Sequence, residues 1–282
     1  MVRAIVLAVT CLLTCVAATS PAPAPQLLGV AYREDGSDAH RLDIYLPKEL
    51  ATAQLIVFVH GGAFMAGGRR DYAPIGRALA VQGMAVVVPS YQLFPAVGAQ
   101  GSTSDVAFAI AWTIEHARDY GLASAPLFLA GHSAGAQIVA MIATHGRYLE
   151  SAGASLASIR GALVLAGAYD VRDLSDEPES WQRIDDQIYG ATSEERAKNS
   201  PGLAIDPKTP PIEAVCGTED DPGSCPRTEH FVRALRSAGL NGRIFRAVGA
   251  DHMALLRRLI GPNDPLHAEF RQFIERQRKD AP

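Results

Sequence analysis

The sequence predicts an α/β fold built on one mostly parallel sheet with helices on both faces. Three observations carry this. Short runs apolar on both faces recur along the chain: Leu55 to Val59, Met84 to Val88, Leu127 to Ala130, Ala162 to Ala166, Ile212 to Val215 and Ile244 to Val248. Strands of a parallel sheet read this way because helices cover both of their faces. Helical patterns lie between several of these runs, and alternation of strand and helix makes a parallel sheet. Finally, 48% of the 282 residues are hydrophobic and 20% are charged. That supports a packed core and excludes a disordered chain.

The chain begins with a segment outside this fold. Arg3 supplies a positive charge, Ala4 to Ala17 is largely apolar, and Val16-Ala17-Ala18 offers small residues to a signal peptidase. The pattern predicts a signal peptide over residues 1–18, cut after Ala18. The run is short for a membrane span, which needs about 20 apolar residues. An uncleaved anchor and a lipid anchor through Cys15 are the alternatives. Residues 19–26 read as a Pro-rich spacer containing Ser20-Pro21-Ala22-Pro23-Ala24-Pro25. Residues 27–282 then form a single domain, exported to the periplasm or the medium.

The domain opens with two strand-like stretches, Leu27 to Tyr32 and Arg41 to Leu46, joined through the turn Glu34-Asp35-Gly36-Ser37. This predicts an antiparallel hairpin. Asp105 to Arg118 carries Val106, Ile110, Ile114 and Ala117 near helical spacing, with Asp105 placed to cap the start. Further helices are expected at Ala134 to Thr144, at Thr228 to Ala238 before Gly239, and around Leu266, Phe270, Phe273 and Ile274. Asp170 to Pro211 is polar and breaks the alternation. It reads as a short cap-like insertion, at about residues 170–211, over the carboxyl edge of the sheet. An ordinary long loop is the alternative.

Charge and cysteine content narrow the function classes. Twenty-six basic against thirty acidic residues leave a net charge of −4, which offers no electrostatic basis for binding nucleic acid. Cys11 and Cys15 leave with the signal, so Cys216 and Cys225 remain. In an oxidising compartment these are expected to form a disulfide, two free thiols being the alternative. They are too few for a zinc site. No metal or cofactor is expected.

Four motifs carry chemistry. Gly131-His132-Ser133-Ala134-Gly135 stands between a strand and a helix, the setting of a nucleophile elbow. Glycines two before and two after Ser133 relieve the collision that so tight a turn would cause. His60-Gly61-Gly62-Ala63-Phe64 follows another strand, where glycines let backbone N–H groups approach an oxyanion. Gly62 and Ala63, with Ala134 from the elbow, are the expected donors. His60 is expected to hold the loop. A serine nucleophile needs a base, and histidine titrates near working pH. Among eight histidines, His252 in Gly249-Ala250-Asp251-His252 falls between the last strand and the last helix, at the sheet edge. His132 reads as locked in the elbow and His145 as a surface residue at a helix end. The third member orients the imidazole. Glu219, Asp220 and Asp221 compete for it, and Asp220 stands at the expected offset from Gly217.

These residues resemble the α/β-hydrolase superfamily, in its hormone-sensitive-lipase-like carboxylesterase branch, nearest to small esterase/deacetylase and kynurenine-formamidase-like proteins. The resemblance rests on His60-Gly61-Gly62, Pro89-Ser90-Tyr91, Asp105 with Trp112, Gly131 to Gly135, Tyr169-Asp170, Gly217-Thr218-Glu219-Asp220, and Gly249 with His252, over roughly Arg41 to Ile274. The order Ser133, Asp220, His252 is the α/β-hydrolase order. Two departures stand out. Tyr91-Gln92-Leu93 replaces a usual Tyr-Arg-Leu, which implies the loss of one structural ion pair. Ala63 replaces a glycine of lipase-like members, which argues against bulky tertiary-alcohol esters.

The combined reading is a serine carboxylesterase acting on small-molecule esters with short acyl groups through an acyl-enzyme. Phe64, Met65, Tyr91, Phe94 and Tyr169, at or just past strand ends, are expected to crowd the acyl pocket. The alternatives are an arylformamidase-like amidase and an acetyl or feruloyl esterase acting on plant polysaccharide esters.

Overall fold

The computed structural model describes residues 26–175 and 179–279. The expected signal peptide, and the spacer up to Pro25, lie outside the described residues. Gln26, assigned to the spacer, already belongs to the first strand.

Strands β1 (Gln26–Ala31) and β2 (Arg41–Tyr45) pair antiparallel, with Leu27 opposite Ile44 and Val30 opposite Leu42. Their connection contains a single 3-10 turn, Asp38–His40, besides the Gly36 turn. β3 (Gln54–Val59), β4 (Met84–Pro89), β5 (Leu127–His132), β6 (Ile159–Leu165), β7 (Ile212–Gly217) and β8 (Gly242–Ala247) follow. The sheet order is β1-β2-β4-β3-β5-β6-β7-β8. β2 meets β4 antiparallel, and every pair from β4 to β8 is parallel. The eight strands and the hairpin are those the sequence predicts, to within a few residues at the ends.

Side chains alternate along each strand, so the central strands feed two cores, one on each face of the sheet. Leu55, Val57 and Val59 of β3 enter one core with Leu127 and Leu129 of β5 and Ala162 and Val164 of β6. Ile56, Phe58, Phe128, Ala130, Leu163 and Leu165 enter the other. Helices α1 (Ala73–Val81), α2 (Ala99–His116), α3 (Ala134–Thr144), α4 (Arg147–Ser151), α5 (Glu179–Tyr189), α6 (Ser193–Ala197), α7 (Ser224–Ser237), α8 (Ala254–Leu259) and α9 (Pro265–Lys279) surround it. α2, α3 and α7 cover the first face, through Val106 and Ile110, Ile138 and Ile142, and Phe231 and Leu235. α1, α8 and α9 cover the second, and the Leu266, Phe270, Phe273, Ile274 stripe of α9 is wholly buried there. Phe273 meets Phe128 edge-on at 6.1 Å between ring centroids. Truncating such a buried phenylalanine costs about 3–5 kcal/mol.

Two sequence expectations need correction. α2 starts at Ala99 after Gly98, so Asp105 is not a cap but a buried interior residue. Its carboxylate accepts the Gln92 N–H at 3.1 Å, with Arg33 Nη1 and His40 Nε2 each at 3.2 Å. Residues from the hairpin and its connection, Arg33 and His40, are thus brought against this buried carboxylate. His145 is buried at the end of α3, not on the surface. Burial pulls its pKa down to about 4.

The stretch between β6 and β7 contains α5 and α6. Thr192 starts α6 through reciprocal hydrogen bonds with Glu195. Among the described residues, no helix is long and apolar enough to cross a membrane.

Candidate active site

The parallel strands end at one edge, and the loops there hold the residues singled out above. At the elbow, β5 passes into α3 through Ser133, whose φ is +57°. A non-glycine residue in this region stores about 1–3 kcal/mol of strain, so its surroundings must enforce it. The Ser133 N–H donates to the Leu165 carbonyl at 2.8 Å. A Cβ on Gly131 would sit 2.3 Å from the Gly135 oxygen, and one on Gly135 would sit 2.2 Å from the Val59 oxygen. Both glycines are thus required by backbone crossing backbone. Ser133 is half-buried, and its hydroxyl makes no hydrogen bond among the described residues.

The loop after β3 is equally constrained. Ala63 and Phe64 have φ of +53° and +61°. The Gly62 carbonyl accepts the N–H groups of Met65 and Ala66, each at 3.0 Å. His60 holds the loop from beneath. It is fully buried, stacks on Tyr91 at 4.1 Å between centroids, and its Nδ1 lies 2.8 Å from the Gly61 oxygen. Burial lowers its pKa to about 4, so the neutral ring donates Nδ1–H to that oxygen.

His252 Nδ1 lies 3.0 Å from Asp220 Oδ2. Burial alone would raise the Asp220 carboxyl, but hydrogen bonds from His252, the Asp221 N–H and the Ser224 hydroxyl hold it below the ordinary carboxylate range. The competing acids are elsewhere: Asp221 forms an exposed ion pair with Arg227 at 2.6 Å, and Glu219 is exposed. The Cys216 and Cys225 sulfurs are bonded, joining the end of β7 to the start of α7 around the loop that carries Asp220.

Ser133, Asp220 and His252 line one cavity of about 920 Å³, together with Ala63 and Ala134. Gly62 is not in its wall. Of the five expected pocket residues, only Tyr169 lines it. Phe64 and Tyr91 are buried behind it, and Met65 and Phe94 pack partly buried against the first core. Tyr91 turns inward because its hydroxyl donates to the His60 carbonyl at 2.8 Å. The wall instead uses Gln137 and Tyr189, which sequence reasoning missed. Gln137 was findable, since four residues after Ser133 on a helix is the same face. Tyr189 comes from α5, and no local signal brings it to the serine.

The BD-FAE family model matches residues 42–235, more than half of the chain. The chain belongs to the BD-FAE family. It is an α/β-hydrolase near esterases and formamidases. This BD-FAE chain is 25% identical over 245 residues to a kynurenine formamidase of Danio rerio, covering 84% of this chain and 78% of that protein. It is 26% identical over 258 residues to isoprenylcysteine alpha-carbonyl methylesterase ICME of Arabidopsis thaliana, covering 86% of this chain. It spans only 60% of the length of that methylesterase. Among solved structures, a truncated carbohydrate esterase from gut microbiota superposes with a TM-score of 0.77 at 19% identity, covering 92% of this chain and 98% of that one. Esterase B from Lactobacillus rhamnosis, inhibited by a tributyrin phosphonate, gives 0.76 at 18% identity, covering 92% and 88%. These two likenesses concern the fold.

Proposed function

We propose that this protein is a serine carboxylesterase acting on small, short-acyl esters. The carrying observation is the 3.0 Å contact of His252 Nδ1 with Asp220 at a cavity that Ser133 also lines. A carboxylate only accepts, so Nδ1 carries the proton and Nε2 is left with a free lone pair. Nε2 can then take the Ser133 proton as the hydroxyl oxygen attacks the ester carbonyl. The imidazolium formed is stabilised by Asp220 and returns the proton to the departing alcohol oxygen. The backbone N–H groups of Ala63 and Ala134, with Gly62 beside them, stabilise the oxyanion. Water then repeats the sequence on the acyl-enzyme, with His252 again as base.

The likeness to esterases and to a formamidase supports this reading at the level of the reaction. The N-terminal segment and the cysteine pair support a place of action outside the cytoplasm. The test is a substrate panel: p-nitrophenyl esters from C2 to C16, methyl ferulate, acetylated xylan and N-formylkynurenine. Highest kcat/KM on short esters, lost in Ser133→Ala, is the expected result. Preference for N-formylkynurenine would instead make the protein an amidase with the same triad.

A further inference from the structure

The second residue of the elbow, His132, is an unused histidine beside the catalytic one. Its ring is 2% exposed and its centroid lies 4.6 Å from that of His252. Nε2 of His132 is 3.0 Å from the main-chain carbonyl oxygen of His252. Nδ1 is 3.3 Å from the hydroxyl of Tyr72, at the start of α1. That hydroxyl oxygen is in turn 3.0 Å from the Gly61 nitrogen.

The chemistry of these groups allows one direction only. The His252 carbonyl accepts, so Nε2 of His132 carries hydrogen. Burial, with the His252 ring close by, lowers the His132 pKa to about 4 and keeps the ring neutral. Nδ1 is therefore an acceptor, and the Tyr72 O–H donates to it. The Tyr72 oxygen is left to accept the Gly61 N–H. A single chain of hydrogen bonds runs from Gly61, beside the oxyanion donors, through Tyr72 and His132 to the backbone of the general base.

We propose that Tyr72 and His132 are positioning residues that tie the oxyanion loop to the His252 loop and hold base and oxyanion site at one separation. The inference rests on the esterase reading above. The two loops come from opposite ends of the sequence, after β3 and after β8, and would otherwise be set independently. The close approach of these groups requires glycine at position 61, because a Cβ there would lie 2.8 Å from the His132 main-chain oxygen and 3.1 Å from the Tyr72 hydroxyl. Catalytic rate is sensitive to such separations, since displacement by about 1 Å can cost about 100-fold.

The experiment compares kcat and KM of Tyr72→Phe, His132→Asn, His132→Gln and the double variant Tyr72→Phe/His132→Asn, beside Ser133→Ala and the parent. Glutamine can place an N–H where Nε2 stands, whereas asparagine stops short of the His252 carbonyl. His132→Asn should lower kcat by about 10- to 100-fold with KM nearly unchanged. His132→Gln should recover most of that loss. Tyr72→Phe should cost less, and the double variant should match His132→Asn alone, because one broken chain cannot be broken again. Tyr72→Phe removes one oxygen and keeps the ring, so it reports even if a His132 variant does not fold. Folded His132→Asn with parental kcat, no recovery in His132→Gln, or multiplicative losses in the double variant would overturn the proposal. An active Ser133→Ala would instead overturn the esterase reading, which separates the two failures.

Discussion

His252 and Asp220 are 32 residues apart in sequence, yet Nδ1 of one lies 3.0 Å from Oδ2 of the other. They meet because β7 and β8 are parallel neighbours whose following loops share an edge. Neighbouring Asp221 turns away to Arg227. Ser133→Ala and His252→Ala should each lower kcat by roughly 10⁴-fold or more. Asp220→Asn should lower it by about 10³- to 10⁴-fold, since it spoils the imidazole tautomer. Asp221→Asn should leave kcat near the parental value. Steady-state kinetics on p-nitrophenyl butyrate decides this, and an inactive Asp221→Asn beside an active Asp220→Asn would reverse the assignment.

The Cys216–Cys225 bond closes the loop that carries Asp220. Closing a loop of about ten residues is worth roughly 2–3 kcal/mol in the chain-entropy model. Reduction, or the double change Cys216→Ala/Cys225→Ser, should lower Tm. It should also lower kcat more than KM, because a looser Asp220 blurs the orientation of His252. Thiol titration of the denatured, oxidatively folded protein should find none at these two positions, and two titratable thiols there would refute the bridge.

Stability should fall on mild acidification. His60, His132 and His145 are buried neutral, with pKa lowered by burial to about 4 in each case. Unfolded, each takes up a proton near pH 6.5. Between about pH 6.5 and 4 the unfolded chain therefore binds more protons, and stability rises with pH across that window. Buried Glu213 works the other way. Desolvation and nearby Glu269 raise its pKa to about 7, so its contribution is lost as pH rises toward 7. Three groups against one predict a Tm that drops from pH 7 to pH 5. A Tm constant or rising over that range, measured by calorimetry, would contradict this account of the buried histidines.

Acyl length should be set by Tyr189. Its ring meets Phe64 edge-on at 5.7 Å, and its hydroxyl donates to Gln137 Oε1 at 3.3 Å. Gln137 is itself fixed by donating to the Asn199 carbonyl at 3.0 Å. This part of the wall should favour C2 to C4 esters over C12. Tyr189→Ala should raise the ratio of C8 to C4 kcat/KM by about tenfold, in line with the value of a few buried methylenes. Phe94→Ala, a change outside the cavity wall, should leave the ratio unaltered. An optimum at C16 in the parent enzyme would mean a lipase and a different pocket.

Much of this protein was legible without coordinates, and the reason is locality. A strand covered on both faces must be apolar throughout, so five of the runs mark β3 to β7 directly, while β8, at the sheet edge, is only partly buried. The elbow is legible because its pattern is local: Gly131 clears the Gly135 carbonyl within five residues, whereas Gly135 clears the Val59 carbonyl of β3. His252 and Asp220 follow from their places just after strands, since parallel strands bring those places to one edge. Tertiary structure alone decided which way the side chains near that edge point. Positive φ at Ala63 and Phe64 drives Phe64 into the core, and a hydrogen bond to His60 does the same for Tyr91. The wall then falls to Tyr189, from α5 in the stretch between β6 and β7, whose path depends on what it packs against. Likewise Arg33 and His40 reach Asp105 from some 70 residues away, and His132 meets Tyr72 across 60. Such contacts arise from distances in the folded chain, and no spacing along the sequence encodes them.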